Sequence, residues 1–139
     1  MIAFDTDVLT GILLGRPNYV AQLNTIPVEE QSVPIIVVEE IMRGRLNTIR
    51  RAESGKARIS LSRAYELFTT TFQDFQTLQP LPYTAEAERQ FQAWRKQKIR
   101  VGTHDLRIAA ICVAHHATLI SRNRRDFERI PNLSVEFWN

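Results

Sequence analysis

Hydrophobic and polar positions divide the chain into short blocks of two kinds. Brief apolar runs of the strand type stand at Ile2 to Asp5, Ser32 to Ile36, Leu78 to Tyr83, Ala117 to Ser121 and Leu133 to Phe137. Between them, apolar residues recur at helical spacing. The first run is cut off by the polar pair Thr6-Asp7, and a short helix is predicted over Val8 to Leu14, stopped by Gly15 and Pro17. A turn or two of helix fits Tyr19 to Thr25, ahead of Pro27. From Val37 to Ala52 the positions Val38, Ile41, Met42, Leu46 and Ile49 form a helical stripe, which Ser54-Gly55 ends. The most regular stripe is Leu61, Ala64, Tyr65, Phe68, Phe72 and Phe75, predicting a helix from Ile59 to Leu78. An aromatic face of this kind is expected to be core or a helix–helix seam rather than a platform for stacked bases.

The prolines at 80 and 82 put the third strand run at a sheet edge. Thr84-Ala85-Glu86-Ala87 opens like an N-capped helix that continues through Phe91 and Trp94 to about Lys98, and Gly102 breaks it. Thr103 is expected to cap the next helix, which carries Asp105, Ile108, Ala109, Cys112 and His116; Pro131-Asn132 makes a turn before the last strand. Short apolar strands alternating with helices predict an α/β fold around a mostly parallel sheet of about five short strands. With 139 residues, no internal repeat and no Gly/Ser linker, the chain is expected to form one domain spanning residues 1–139.

Composition narrows the picture only a little. Hydrophobic residues at 44% and charged residues at 24% exclude a disordered chain. Lys and Arg outnumber Asp and Glu, 18 to 15, an excess compatible with a polyanionic partner that does not require one. Cys112 is the single cysteine, so no internal disulfide can form, and its apolar neighbours make it a small core residue. No apolar run approaches the ~20 residues of a membrane helix, and no secretion signal opens the chain. The expected location is a reducing cytoplasm.

The candidate chemistry lies in four acids placed where an α/β sheet builds its site. Asp5 ends the first strand, and ligands of open parallel sheets bind beyond the carboxyl ends of strands. Glu40 lies in the first turns of the helix after the second strand, and Asp105 in the first turn of the helix before the fourth. Asp126, with Asn123 three residues earlier, follows that fourth strand. Convergent carboxylates repel one another unless a cation sits among them, and oxygen ligands without His or Cys select hard ions such as Mg²⁺ or Mn²⁺. Each acid alone also has a structural role open to it: Asp105 complementing a helix dipole, Asp126 pairing with nearby arginines.

At these residues the chain resembles the PIN-domain family, and within it the VapC-type toxins of bacterial toxin–antitoxin pairs. The matching motifs are Phe4-Asp5-Thr6-Asp7-Val8-Leu9, Glu40-Ile41-Met42-Arg43-Gly44, Asp105-Leu106-Arg107-Ile108-Ala109-Ala110, and Leu119-Ile120-Ser121-Arg122-Asn123-Arg124-Arg125-Asp126-Phe127. The resemblance implies a three-layer α/β/α fold and Mg²⁺- or Mn²⁺-dependent hydrolysis of RNA. It also implies a homodimer and a cognate antitoxin whose tail fills the active-site groove. By position, Asp5, Glu40 and Asp105 correspond to the family's principal metal-site acids. Asn123 stands where many members have an acid and would bind metal through its amide oxygen or through water, with Asp126 supplying charge nearby. Thr6 and Ser121 are the hydroxyls placed to orient carboxylates. Asp7, where Asn or Ser is commoner, is either an outer ligand or a helix cap.

Other side chains refine this expectation. Glu39 would replace Glu40 as ligand if the helix register differed, and otherwise pairs with Arg43 at i,i+4. Arg43, Arg122, Arg124 and Arg125, with Arg45 beside them, are candidates for holding phosphates, or else are solvated surface or partner-pairing charges. His104 adjoins Asp105 as a helix-start residue, and His115 and His116 end the same helix. Two rival functions are to be tested. Asp5-Thr6-Asp7 resembles the Asp-x-Asp opening of haloacid-dehalogenase-type phosphotransferases, in which Asp5 would be the nucleophile. That family needs a downstream lysine and a late acidic pair; no lysine follows His104, and Gly102-Thr103-His104-Asp105 lacks the expected Gly-Asp. The other rival is a PIN-like protein that binds RNA or a partner without cutting, a reading Asn123 permits.

Overall fold

The computed structural model describes all residues, 1–139. Five strands form its centre: β1 (Ile2–Phe4), β2 (Gln31–Pro34), β3 (Pro80–Leu81), β4 (Thr118–Ser121) and β5 (Val135–Phe137). They pair in the order β3-β2-β1-β4-β5, and every pairing is parallel. Seven helices connect them: α1 (Thr6–Leu13), α2 (Pro17–Leu23), α3 (Ile35–Glu53), α4 (Leu61–Gln76), α5 (Ala85–Lys96), α6 (Thr103–Ala114) and α7 (Arg124–Phe127). Parallel neighbours need right-handed crossovers. The chain moves outward from β1 to β3 and then reverses to reach β4, so the crossover helices fall on both faces of the sheet and make three layers.

The core sits where these layers meet. Phe4, Leu119 and Ile120 from the sheet are buried with Val8 and Leu9 of α1 and with Leu106, Ile108 and Ile111 of α6. Each such side chain stabilises the fold by about 1.5–3 kcal/mol. From Ile108 to Cys112 α6 exposes nothing, because it crosses the sheet between α5 and the strands. Gly11 gives α1 its close approach to α2: a Cβ there would stand inside the buried ring of Tyr19. Tyr19 in turn stacks on Trp138, with ring centroids 6.1 Å apart, and Trp138 also meets Phe4. No helix is long and apolar enough to cross a membrane.

Most predicted elements stand within two residues of their predicted ends, and the departures have local causes. The first helix begins at Thr6 rather than Val8, because the Asp5 carboxylate accepts the Thr6 N–H and caps it. Asp7 is therefore an exposed first-turn residue, not the cap. Thr103 does not cap α6 either: Gly102 holds that position, and the Thr103 hydroxyl accepts a hydrogen bond from Arg95. Thr84 caps α5 as expected, accepting the Ala87 N–H at 3.2 Å. The stripe on α4 is only partly core. Ala64 is buried, whereas Tyr65 and Phe72 are about half exposed, at 50% and 53%. On that helix Thr71 is buried instead, its hydroxyl accepting the Arg45 Nε–H at 2.9 Å.

Candidate active site

The reversal of strand order falls between β1 and β4, and open parallel sheets bind ligands beyond the strand ends at such a point. Asp5 emerges there. Its backbone N–H still donates to Ile120 of β4 at 2.9 Å, which fixes the residue to the sheet. Its carboxylate is held at both oxygens: Oδ1 accepts the Thr6 N–H at 2.8 Å, and Oδ2 accepts the Ser121 hydroxyl at 2.7 Å. Ser121 ends β4, is fully buried, and also accepts the Asn123 N–H at 3.0 Å. Glu40, from the second turn of α3, accepts the Thr6 hydroxyl at Oε2 over 2.8 Å. Asp105 stands in the first turn of α6. Asp5, Thr6, Asp7, Glu40, Asp105 and Asn123 together line a cavity of about 180 Å³.

The electrostatics follow from that lining, which contains no cationic side chain. Burial holds the Asp5 carboxyl above the usual range; Ser121 and Thr6 oppose the shift, and repulsion from Asp7 and Glu40 adds to it. Asp105 is pushed up to about 6, first by burial and then by the negative charges of Asp5, Glu40, Asp126 and Asp7. Burial also raises the Cys112 thiol, with Asp5 contributing, so this cysteine is an inert core group. No three His, Cys, Asp or Glu side chains stand close enough together to hold a metal ion as they are placed. The donor set is nevertheless one that suits a hard divalent ion: carboxylate, hydroxyl and amide oxygens with uncompensated negative charge.

A family model described as PIN domain matches residues 2–133. The chain belongs to the PIN-domain family. Over 39 residues, 28% of this chain, it is 46% identical to "Ribonuclease VapC2" of Rickettsia felis, and the match covers 29% of that relative. Two solved structures share its fold over nearly its whole length. VapBC2 from Rickettsia felis bound to a DNA fragment from their promoter has a TM-score of 0.75 at 23% identity, with 100% of both chains covered. A toxin-antitoxin complex from Klebsiella pneumoniae has a TM-score of 0.72 at 23% identity, covering 98% of this chain and 96% of that one.

In this PIN domain the remaining candidates fall into distinct groups. Glu40, not Glu39, lines the cavity; Glu39 forms the i,i+4 pair with Arg43. The rim beyond Ser121 is a two-way exchange between Asn123 and Asp126. The Asn123 amide donates to Asp126 Oδ2 at 2.9 Å, and Asn123 Oδ1 caps α7 by accepting the Asp126 N–H at 3.3 Å. Asn123 faces the cavity, and Asp126 stands behind it. Arg45 points away, into the α3–α4 seam. Arg124 is engaged with Glu128 at 3.1 Å and lies over the Phe137 ring, whereas Arg122 and Arg125 are exposed. His104, a helix-start residue as expected, stands with Nδ1 3.5 Å from Glu40 Oε1 and Nε2 3.9 Å from Glu39 Oε1. His115 caps the end of α6, its ring against the Pro82 carbonyl. The phosphotransferase reading falls with the family assignment, and no lysine reaches the cavity beside Asp5.

Proposed function

We propose that this PIN domain is an endoribonuclease that hydrolyses RNA phosphodiester bonds with Mg²⁺ or Mn²⁺, as the toxin of a toxin–antitoxin pair. The observation that carries the reading is the meeting of Asp5, Glu40 and Asp105 around one cavity whose lining holds no lysine or arginine. In this reading those three carboxylates are the catalytic acids and hold the ion. Asn123 completes the metal set from the rim, through its amide oxygen or a water. Asp126 acts from behind by adding negative charge and fixing the Asn123 amide. Thr6 and Ser121 orient Glu40 and Asp5 through their hydroxyls. A bound divalent ion polarises the phosphodiester and supplies a water of lowered pKa. Arg122 and Arg125 are exposed cations available to substrate phosphates, and Arg43 and Arg124 share that role with their hold on Glu39 and Glu128.

The partner half of the proposal leans on the likeness to toxin–antitoxin complexes and to a protein named a ribonuclease. An RNA substrate and a protein antitoxin make the cytoplasm the place of action. A second reading, a PIN domain that binds RNA or a partner without cutting, is favoured by the commitment of the Asn123 amide to Asp126. Cleavage of RNA with Mg²⁺ or Mn²⁺, with and without chelator, separates the two. Cleavage is expected in wild type, lost with chelator, and reduced at least about 100-fold in Asp5→Asn. Equal cleavage by Asp5→Asn would remove the metal-site reading, and RNA binding without any cleavage would establish the silent binder.

A further inference from the structure

The acidic cavity is one end of a longer groove. A volume of about 860 Å³ shares Glu40 and Asp105 with it and continues between α3 and the start of α6. One wall is a single face of α3, where Glu40, Arg43, Asn47 and Arg50 recur every three or four residues. Thr103 and His104 stand on the other wall, and Leu46 is the only apolar side chain in the lining. A groove so polar is not built for an apolar peptide face.

The two arginines on this face differ in what they already do. Arg43 is bound to Glu39. Arg50 is exposed and makes no side-chain hydrogen bond or ion pair within the fold. It sits in the last turn of α3, where a cation complements the helix dipole, but Arg51 beside it serves that purpose without facing the groove. Ten residues separate Glu40 from Arg50, about 15 Å along a helix rising 1.5 Å per residue. A stacked strand advances about 3.4 Å per nucleotide, so this span is about four nucleotides.

We propose that Arg50, assisted by Asn47, grips a backbone phosphate of single-stranded RNA about four nucleotides from the bond to be cut, making the groove face of α3 a phosphate track. The inference rests on the endoribonuclease reading and adds to it a minimum length of substrate on one side of the scissile bond. The groove's two carboxylates, Glu40 and Asp105, lie at the cavity end and Arg43 is paired with Glu39, so the free cationic charge of the lining is at Arg50. A cation placed along the backbone path without reading bases is a usual means of holding a single strand.

The test is fluorescence anisotropy with labelled single-stranded RNAs of about three and about eight nucleotides, in an Asp5→Asn background that leaves them uncut. Arg50→Gln is compared with Arg89→Gln, which removes an equal charge from the exposed outer face of α5. On the longer RNA, Arg50→Gln is expected to weaken binding about fivefold at low salt and to lower the slope of log affinity against log salt by about 0.7. On the shorter RNA the loss should stay under about twofold, and Arg89→Gln should match its parent on both. Equal losses at both lengths, equal losses from both arginines, no loss from Arg50→Gln, or no RNA binding at all would each overturn the track. So would a loss confined to binding of an acidic peptide. The nuclease reading is judged separately, by cleavage in the wild-type background. Failure to cut, with the length-dependent binding intact, sinks that reading and leaves Arg50 as a phosphate contact with no scissile bond to measure it from.

Discussion

Asp5 is a carboxylate with both oxygens already engaged and with its environment set against its charge. That combination is unfavourable in an isolated fold and useful in a binding site. Removing the Ser121 hydroxyl strips the support from Oδ2 while leaving the fold's apolar contacts alone. Ser121→Ala is therefore expected to lower metal-dependent cleavage about 10- to 100-fold with an unchanged circular dichroism spectrum, and wild-type rates would show that Asp5 needs no such support. The raised carboxyls also set a pH dependence. Asp105 keeps its proton up to about pH 6 in the folded chain, while its ordinary value is 3.8. Between those values the folded state holds more protons, so metal-free stability falls as pH rises through the window and stays low above it. Asp5 is shifted in the same direction. Thermal melts at pH 7 should then place metal-free Asp105→Asn a few degrees above wild type, since even about 1 kcal/mol moves a domain of this size that far. The two melts should converge near pH 4; a wild type that is the more stable at pH 7 would contradict this account.

Among the elements, α1 depends on Gly11 more than on any capping group. Gly11→Ala would drive a methyl into the Tyr19 ring, which is pinned in turn by Trp138. The expected cost is about 1–3 kcal/mol, read as a lower urea midpoint with an unchanged slope; an unaffected midpoint would mean that the α1–α2 seam is loose. The helices and strands were legible where a periodic run was long enough to have a face. The four-residue α7 and the 3₁₀ turn at Val28–Glu30 are too short for periodicity and were missed. The stripe on α4 shows the complementary failure: spacing predicts which residues share a face but not what lies opposite, and Tyr65 and Phe72 face solvent. For the site, Asp5 and Asp105 could be found because each sits beside an element boundary, and Glu40 because it lies in the first two turns of a helix that follows a strand. The Asn123–Asp126 exchange was half legible, since its spacing is a capping spacing but its direction toward the cavity is set by packing. Arg50 offered no sequence signal, because its groove exists only where the start of α6 approaches α3.

On the scale of the whole molecule, Leu61, Tyr65 and Phe72 leave an apolar strip along one helix, at 41%, 50% and 53% exposure. Such a strip on so short a chain fits a second copy. Light scattering is expected to give a dimer for wild type and a monomer for Phe72→Glu, and a concentrated wild type that remains monomeric would count against the homodimer that the family resemblance implies. The central position of β1 has a different kind of consequence. Its residues pair with Gln31 on one side and with Thr118 on the other, and the Asp5 carboxylate is closed by a hydroxyl 116 residues further on. A chain emerging from the ribosome makes β1 before either of its neighbours and must leave one edge of it bare until β4 has been synthesised. Asp5 and Glu40 can meet early, but Asp105, Ser121 and Asn123 arrive only with the last quarter of these residues. A site divided in this way cannot form until β4 has been made, so a nuclease of this architecture stays silent for as long as only β1 to α5 have emerged.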